Sequence, residues 1–338
     1  MIKKQKRIVS VWHKKYSYEE MSRDIADLSH MYPERFRYDI IGRSEDDRKI
    51  YDIVIGNPEA KKCILVVAAI HGREYITTLL CMKQIEYYLR HQKNKLRQRY
   101  VETILQDIAI HYIPMANPDG VTISQYGIKQ IQNEMLYQKL KGIAVSKEKR
   151  WKANARGVDL NRNFPYHFCV TKEAGSEGYS GKEALSEKES AAINRRVTFL
   201  EEVKGLQGVV HYHAMGSEIY ASCHTEGETA LKTAFMYAVA RGVTGYPQAD
   251  EEENNIKQMK ERQDAAKMEI EKQTDRDGMY FQDHGNLREY LLYEKKLPGI
   301  TVEVGRFRCP GPLCEFFFIW RKNKNLVLRE AALLESLL

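Results

Sequence analysis

A histidine and a glutamate stand three residues apart in the segment His71-Gly72-Arg73-Glu74, directly after an apolar run. In the first turn of a helix, that spacing puts an imidazole and a carboxylate on one side, where both can bind one metal ion. A pair of this kind is expected about once by chance in a chain of this composition. Its position adds weight, because ligands gather at the carboxyl ends of strands in open α/β sheets.

A catalytic zinc ion typically takes three protein ligands and leaves one position for water. We expect the third ligand at the end of another strand, and the run GVVHYH supplies His211 and His213. These histidines are two positions apart, so in a strand they face the same side of the sheet. The pattern therefore leaves both as candidates.

Glu303 is a carboxylate within an apolar strand, in the run ITVEVG. Carboxylates are rarely buried unless they are paired or lie beside a metal. The chemical interpretation is a general base that acts on a water molecule next to the metal. A hydrogen-bonded structural glutamate is the alternative.

Polar groups are dense between residues 151 and 164, in the run WKANARGVDLNRNF. Lys152, Arg156 and Arg162 could bind an anion there, and Asn161 could hold it with an amide. The planar guanidinium of arginine suits carboxylates in particular. For each residue taken singly, an ordinary basic surface loop is the alternative.

The apolar patterns predict strands and helices in alternation. Strands are predicted over residues 49–55, 63–70, 108–115, 208–212 and 300–304, and helices over 17–31, 75–89, 186–203, 229–240 and from about 326. Ser17 with Glu20 and Ser186 with Glu189 are capping boxes, and residues 117–120 (NPDG) predict a turn. Alternating elements indicate an α/β fold with a largely parallel or mixed central sheet.

Composition excludes several classes of protein. The chain has 338 residues, with 43% apolar and 29% charged residues, which excludes wholesale disorder. Lys and Arg exceed Asp and Glu by 53 − 46 = 7, but no basic stripe with interleaved aromatic residues predicts nucleic-acid binding. No stretch of 18 apolar residues predicts a membrane span. Without a signal-peptide pattern or a CxxC pair, we expect a cytoplasmic chain with free thiols.

Residues 249–277 differ from the rest of the chain because they are dense in charge and nearly free of large apolar residues. This composition predicts a charged insertion. It is either an exposed helical lid or a plain solvated insertion.

Five segments, in this order, resemble the zinc carboxypeptidase family, whose reference member is carboxypeptidase A: HGRE, NPDG, GVDLNRNF, YSG and TVEVG. The similarity covers about residues 15–335, and GVDLNRNF is far more specific than a histidine and glutamate three residues apart. The resemblance implies a single catalytic α/β/α domain over residues 1–338, with a mixed, mostly parallel central sheet of roughly eight strands.

Carried onto this chain, the resemblance implies that His71, Glu74 and His213 bind one zinc ion per chain, which selects the later of the two histidines. It implies Asp159 as the carboxylate that orients the first histidine, a partner that metal-bound imidazoles generally need. It also implies Glu303 as the general base.

The resemblance also assigns residues to the substrate. It implies that Asn161 and Arg162 hold a free carboxylate of the substrate and that Tyr280 closes over it. Arg288, near the base of the specificity pocket, would favour a carboxylate-bearing side chain after the scissile bond. Arg73 fits a flanking substrate contact, with a surface ion pair as an equal alternative.

The chain departs from the family where the oxyanion is held. Carboxypeptidase A has an arginine after a tryptophan at this point, whereas here Trp151 is followed by Lys152 and the nearest arginine is Arg156. Either cation could stabilise the oxyanion, and we favour Arg156.

The run NARGVDLNRNFP is most similar to the bacterial branch, which includes γ-D-glutamyl-L-diamino-acid peptidases that act on peptidoglycan stem peptides. We therefore expect a zinc peptidase that hydrolyses an amide bond next to a carboxylate-bearing residue. The expected bond is γ-D-glutamyl–diaminopimelate, in a peptide or muropeptide. The alternatives are an ordinary C-terminal metallocarboxypeptidase and a non-catalytic module that binds anionic peptides.

Overall fold

The computed structural model describes residues 7–12, 15–143, 148–221, 226–249 and 284–337. The strands of the described chain are β1 (Phe36–Arg43), β2 (Lys49–Ile55), β3 (Cys63–Ala68), β4 (Lys95–Leu96), β5 (Arg99–Tyr100), β6 (Ala109–Ile113), β7 (Leu206–His213), β8 (Glu218–Tyr220) and β9 (Gly299–Glu303). The helices are α1 (Tyr18–Met31), α2 (Ile76–Arg90), α3 (Val101–Asp107), α4 (Pro118–Tyr126), α5 (Glu134–Ile143), α6 (Lys188–Lys204), α7 (Glu228–Thr244), α8 (Glu315–Asn323) and α9 (Leu326–Ser336).

The central sheet has the strand order β1-β2-β6-β3-β7-β9-β8. The four consecutive strands β6, β3, β7 and β9 run parallel to one another, and the remaining pairings are antiparallel. This confirms the α/β fold with a mixed sheet. The described residues form seven strands of this sheet, where about eight were expected, and β4 and β5 form a separate hairpin.

Helices cover both faces of the sheet, as the alternation of buried residues along β3 shows. Ile64, Val66 and Ala68 join a core with α1, α2, α3, α7, α8 and α9 on what we call the first face. Leu65 and Val67 join a second core with α6 and the segment 287–297 on the second face. Because both faces are covered, β3 is a continuous apolar run rather than an alternating one.

Most of the predicted elements are confirmed. β2 has the predicted bounds, and α1 begins after a true capping box. In this box the Glu20 N–H donates to Ser17 Oγ at 3.1 Å and the Ser17 N–H donates to Glu20 Oε2 at 2.8 Å. Two donors at the helix start are thereby satisfied.

Two local predictions are wrong. Residues 117–120 do not stop the chain in a turn, because α4 begins at Pro118 and Asn117 caps it by accepting from the Gly120 N–H at 2.8 Å. Proline fits the first helical position, since its missing N–H would have no partner there. Ser186 does not cap α6, because its hydroxyl bonds to the Glu187 carboxylate at 2.8 Å.

Some predictions concern the chain as a whole. In the described part, no helix is both long and apolar enough to cross a membrane, and the expected cytoplasmic location stays a prediction. The described cysteines are free thiols. Residues 250–283, which hold nearly all of the charged insertion and Tyr280, lie outside the described residues. A single domain over residues 1–338 likewise stays a prediction.

Candidate active site

Three candidate residues lie at the carboxyl ends of neighbouring strands. His71 follows β3 and precedes a short 3₁₀ turn (Gly72–Glu74), while His213 ends β7 and Glu303 ends β9. These three strands are adjacent and parallel, so their carboxyl ends meet at one edge of the sheet. The fold thus brings together side chains that are more than 200 residues apart in sequence.

His71, Glu74 and His213 form one compact cluster. The Nδ1 atom of His71 lies 2.9 Å from Glu74 Oε1, and the Nδ1 atom of His213 lies 3.1 Å from Glu74 Oε2. The two Nδ1 atoms are 3.1 Å apart. All three side chains are buried, and their donor atoms lie within 4.8 Å of one another. The arrangement can therefore hold a single metal ion.

The chemistry of this cluster fits zinc. Two imidazole nitrogens and one carboxylate oxygen are a common donor set of catalytic zinc sites. Burial opposes ionisation of Glu74, but His71 and His213 hold the pKa of its carboxyl well below the usual range. Burial lowers the pKa of His213, which favours the neutral form of its imidazole. Metal binding requires an ionised carboxylate and neutral imidazoles.

Asp159 lies behind the first histidine, on the side away from the cluster. Its Oδ1 atom is 3.2 Å from His71 Nε2, and its Oδ2 atom is 3.1 Å from Lys152 Nζ. Its oxygens also accept backbone N–H bonds from Asn161 at 3.2 Å and Gly178 at 3.1 Å. Although burial opposes ionisation, Lys152 and His71 hold the pKa of Asp159 well below its usual range. A fixed anion on one ring nitrogen orients the other toward a metal.

His211 has a position that the sequence did not assign. It is buried, and its Nδ1 atom lies 3.3 Å from Nε2 of His213, on the side of that ring away from the metal cluster. Burial, together with the neighbouring His213, lowers the pKa of His211 well below the usual range. His211 can therefore support the orientation of His213. Strand periodicity places both histidines on one face but does not indicate which of them reaches the metal.

Glu303 lies beside the cluster as the register partner of His213. Its carboxylate makes no hydrogen bond or ion pair with the other described residues. Burial, reinforced by the negative charges of Glu74 and Glu218, raises the pKa of the Glu303 carboxyl well above its usual range. Such a carboxyl readily takes up a proton.

The structure does not support the preference for Arg156 over Lys152 as the cation at the oxyanion. Lys152 contacts Asp159, and its ammonium is among the charges that act on Glu303 and His213. Arg156 is 41% exposed and lies 3.5 Å from Glu187, which belongs to a separate acidic cluster of Glu45, Glu187 and Glu189. The loop turns at Asn154, whose side-chain oxygen accepts the Arg156 N–H. After this turn, Arg156 lies beside Glu187.

Residues 161–162 and 285–288, two segments expected to bind substrate, are packed together. The side-chain oxygen of Asn161 accepts the Leu287 N–H at 3.1 Å, and Arg162 Nη1 donates to the Asn161 carbonyl at 2.8 Å. Gly285, with φ +64°, lies so close that a Cβ atom there would be 2.3 Å from the Arg162 carbonyl oxygen. Arg288 follows in the same segment and is among the charges that act on His211.

Arg73 makes the ion pair that was one of its two expected roles. Its Nη1 atom lies 2.9 Å from Glu177 Oε2, and the Glu177 side chain is 51% exposed. The predicted contact between Arg73 and substrate stays a prediction.

Residues 21–312 match the sequence pattern described as zinc carboxypeptidase, which covers most of the chain. The chain belongs to the zinc carboxypeptidase family. This membership confirms the resemblance found in the sequence and makes the protein a metallopeptidase of the carboxypeptidase type. The family is zinc-dependent, which agrees with the donor set of the buried cluster.

The chain is similar to γ-D-glutamyl-L-diamino acid endopeptidase 1 of Lysinibacillus sphaericus, at 26% identity over 324 residues. The match covers 93% of this chain and 71% of that protein. Metallocarboxypeptidase A of Trichophyton tonsurans is 26% identical over 212 residues, covering 61% of this chain and 47% of that protein.

Solved structures confirm the fold. Bovine thrombin-activatable fibrinolysis inhibitor superposes with a TM-score of 0.63 at 17% identity, covering 96% of this chain and 99% of that chain. Carboxypeptidase A of Helicoverpa armigera superposes with a TM-score of 0.60 at 18% identity, covering 94% and 73%.

Proposed function

We propose that this metallopeptidase hydrolyses the γ-D-glutamyl–diaminopimelate bond of peptidoglycan stem peptides. The observation that carries the proposal is the placement of arginines around the His71–Glu74–His213 cluster. Arg162 and Arg288 belong to the two segments that pack together at Asn161, and Arg73 is part of the turn that holds the first two cluster residues. A bond with carboxylates on both sides fits this charge distribution.

The stem-peptide bond has this property. A γ-linked D-glutamyl residue keeps a free α-carboxylate on the acyl side, and diaminopimelate carries carboxylates on the leaving side. An ordinary carboxypeptidase substrate needs only one carboxylate, on the leaving side. Similarity to γ-D-glutamyl-L-diamino acid endopeptidase 1 over 93% of the chain supports the same substrate class.

His71, Glu74 and His213 would hold the zinc ion, with Asp159 fixing the first imidazole. When bound, zinc supplies a Lewis acid that polarises the scissile carbonyl and acidifies the attacking water. Glu303 takes a proton from this water and delivers it to the leaving amine.

Positive and amide groups of the chain position the substrate. Lys152, which pairs with Asp159, would supply the positive charge that stabilises negative charge on the carbonyl oxygen, since such reactions require a preorganised charge. Asn161 and Arg162 bind a carboxylate of the leaving residue. The family resemblance assigns Tyr280, which lies outside the described residues, to the same carboxylate.

Side-by-side assays test the substrate. We expect release of diaminopimelate from a stem tripeptide, and little cleavage of an N-blocked dipeptide that has an ordinary α-peptide bond. Cleavage of only the blocked dipeptide would show an ordinary C-terminal carboxypeptidase instead. A protein that binds the tripeptide tightly but cleaves neither compound, with zinc present, would be a non-catalytic binding module.

A further inference from the structure

Exposed aromatic and basic residues meet at one place on the protein surface. Trp12, Phe307 and Phe317 are 77%, 55% and 48% exposed, respectively. Three exposed arginines accompany them, and we call these six residues the aromatic–basic surface: Trp12, Arg306, Phe307, Arg308, Phe317 and Arg321. Exposed apolar side chains that cluster among polar ones often mark an interaction site.

The aromatic–basic surface is assembled from segments that are distant in sequence. The ring centroids of Trp12 and Phe317 lie 5.5 Å apart, and Phe318 follows directly in α8. The guanidinium carbon of Arg306 lies 3.9 Å from the centroid of the Phe318 ring. These contacts join residue 12, the loop after β9 and the start of α8 into one patch.

The segment before α1 is held in place although Trp12 is exposed. Val9 is buried in the core on the first face. The Ile8 N–H donates to Glu86 Oε1 at 2.6 Å, and Lys83 Nζ donates to the Val9 carbonyl at 3.1 Å. The backbone that carries the Trp12 indole is therefore anchored to α2.

Positive charge is concentrated in the same parts of the sequence. Residues 1–16 and 304–324 contain eleven Lys and Arg but one acidic residue, an excess of 11 − 1 = 10. Since the whole chain has a net charge of +7, the remaining residues carry 7 − 10 = −3. The one acidic residue, Glu315, is buried, and its Oε1 atom accepts the backbone N–H of Phe307 at 3.0 Å and that of Arg306.

The arginines of the aromatic–basic surface have no acidic neighbours. Neither Arg308 nor Arg321 forms an ion pair with any residue that the structure describes, and Arg306 stacks on Phe318 instead. Three guanidiniums are thereby left to bind an anionic partner, beside apolar rings that water surrounds.

Much of this surface lies outside the part of the chain that matches the family. The zinc carboxypeptidase pattern covers residues 21–312, whereas Trp12 precedes these residues and α8 (Glu315–Asn323) follows them. The chemistry that defines the family therefore does not account for the exposed rings of Trp12 and Phe317.

We propose that the aromatic–basic surface docks this protein onto anionic lipid bilayers. Trp12 and Phe317 enter the headgroup region, and the arginines bind the lipid phosphates. Aromatic side chains are favoured at the boundary between water and hydrocarbon, and neighbouring Lys and Arg residues are attracted to anionic lipids. The proposal needs no residue of the candidate active site, so it does not depend on the substrate.

The contacts within the surface favour a bilayer over a single-stranded nucleic acid. Bases bind by stacking on aromatic rings one after another, which needs free ring faces. Trp12 packs against Phe317, and Arg306 covers Phe318, so these rings are poorly placed to stack on separate bases. A bilayer instead accepts the rings as one apolar group. Because two residues separate Glu303 from Arg306, a bilayer at this surface would lie beside the candidate active site.

The test is co-sedimentation of the full chain with vesicles of phosphatidylcholine alone, and of phosphatidylcholine and phosphatidylglycerol in equal parts. We expect binding to the mixed vesicles only, and weaker binding in high salt. Arg308→Gln and Arg321→Gln should each lower the partition coefficient about fivefold, the factor that corresponds to about 1 kcal/mol per cation. Arg37→Gln is the matched control and should change nothing, since Arg37 is exposed on β1, at the edge of the sheet opposite β8 and β9.

Trp12 gives a second measurement that charge alone would not change. Phosphatidylcholine with brominated acyl chains, mixed with phosphatidylglycerol, should quench its fluorescence, because the indole enters the bilayer. Trp12→Phe should remove most of this quenching while binding is nearly unchanged, since Trp151 is fully buried.

Phe317→Ser should lower the partition coefficient several-fold. Phe199→Ser is its matched control, because Phe199 is also exposed but lies on α6, which packs on the second face of the sheet. This control should bind the mixed vesicles like the wild type, and thermal melting checks that all variants fold.

Several results would overturn the proposal. No binding to the mixed vesicles, or equal binding to both kinds of vesicle, would show that the surface does not recognise anionic bilayers. Undiminished binding by folded Arg308→Gln and Arg321→Gln would show that another part of the chain binds them. Binding without quenching of Trp12 would mean that the surface recognises phosphate charge alone, as a polyphosphate or a nucleic acid also presents it. None of these results bears on peptidase activity, which is measured without vesicles.

Discussion

His213 and Glu303 are register partners on the neighbouring parallel strands β7 and β9. Residues opposite each other in paired strands project to the same face of the sheet. The candidate general base is thereby fixed beside a candidate metal ligand by backbone hydrogen bonds rather than by a mobile loop. The pairing of β7 with β9 therefore sets the distance between Glu303 and His213.

Replacing Glu303 with Gln removes the proton acceptor while preserving shape. We expect kcat to fall by about 10²–10⁴-fold, the usual contribution of a general base, with zinc content unchanged. Glu218→Gln is the matched control, because Glu218 is the register partner of Glu303 on the other side, in edge strand β8. It should change kcat by much less. Full activity of Glu303→Gln would remove the residue from the mechanism.

Asp159→Asn should weaken zinc binding by about 10–100-fold, because the anion that orients His71 is lost. Competition with a chromophoric chelator measures this affinity directly. Asp107→Asn serves as the control, since Asp107 is a partly exposed residue that pairs with Arg99. Unchanged zinc affinity in a folded Asp159→Asn variant would show that His71 needs no such partner.

Lys152 and Arg156 can be distinguished by paired substitutions with methionine. Lys152→Met should lower kcat by about 10²–10³-fold, as the loss of one oxyanion-stabilising group typically does. Arg156→Met should change kcat only a few-fold, because Arg156 pairs with the separate acidic cluster at Glu187. The reverse order of effects would identify Arg156 as the cation at the oxyanion.

Glu177→Gln should free Arg73 for the substrate carboxylate. Since a half-exposed ion pair contributes up to about 1 kcal/mol, we expect KM for γ-glutamyl substrates to fall about two- to fivefold, with kcat little changed. The effect should shrink in high salt. Glu183→Gln, an exposed residue of the same loop region, should leave KM unchanged. An unaltered KM for Glu177→Gln would mean that Arg73 does not contact substrate.

Glu330 in α9 is fully buried, and neither carboxylate oxygen has a hydrogen-bond partner among the described residues. Burial raises its pKa well above the usual range. The folded state therefore keeps a proton that the unfolded chain releases above about pH 4.3. It follows that the free energy of unfolding decreases as the pH rises toward the raised pKa.

Glu330→Met should remove this pH dependence. We expect the variant to be more stable than the parent by about 1–3 kcal/mol at pH 8, with a smaller difference at pH 5, as measured by denaturant unfolding. Glu102→Met, at an exposed position in α3, should show no such difference between the two pH values. An equal gain at both pH values would mean that Glu330 is ionised throughout.

Local sequence patterns predicted those elements in which the apolar positions of the sequence are the positions buried in the fold. β2 has the predicted bounds and α9 begins at about the predicted position, because their apolar patterns match their burial. The capping prediction at Ser186 failed because Glu187 competes for its hydroxyl. β1 was not predicted, since this edge strand is largely exposed and carries little apolar signal.

The residue types of the candidate site could be predicted from the sequence, but the contacts between these residues could not. The spacing of residues 71 and 74 indicated one ligand pair, whereas strand periodicity could not separate His211 from His213. The positions of Lys152 and Arg156 depend on a turn at Asn154, which the spacing of charges does not reveal. Periodicity along the sequence therefore could not show whether Lys152 or Arg156 lies near Asp159.

The central claim is that His71, Glu74 and His213 bind one zinc ion that hydrolysis requires. Metal analysis of purified wild type and of His213→Ala and His211→Ala, before and after treatment with a chelator and readdition of zinc, tests it most directly. We expect one zinc per wild-type chain, with activity lost when the metal is removed and restored when it is returned. His213→Ala should hold no stable zinc, while His211→Ala should still bind it. Full activity of the metal-free protein, or one tightly bound zinc in His213→Ala, would contradict it.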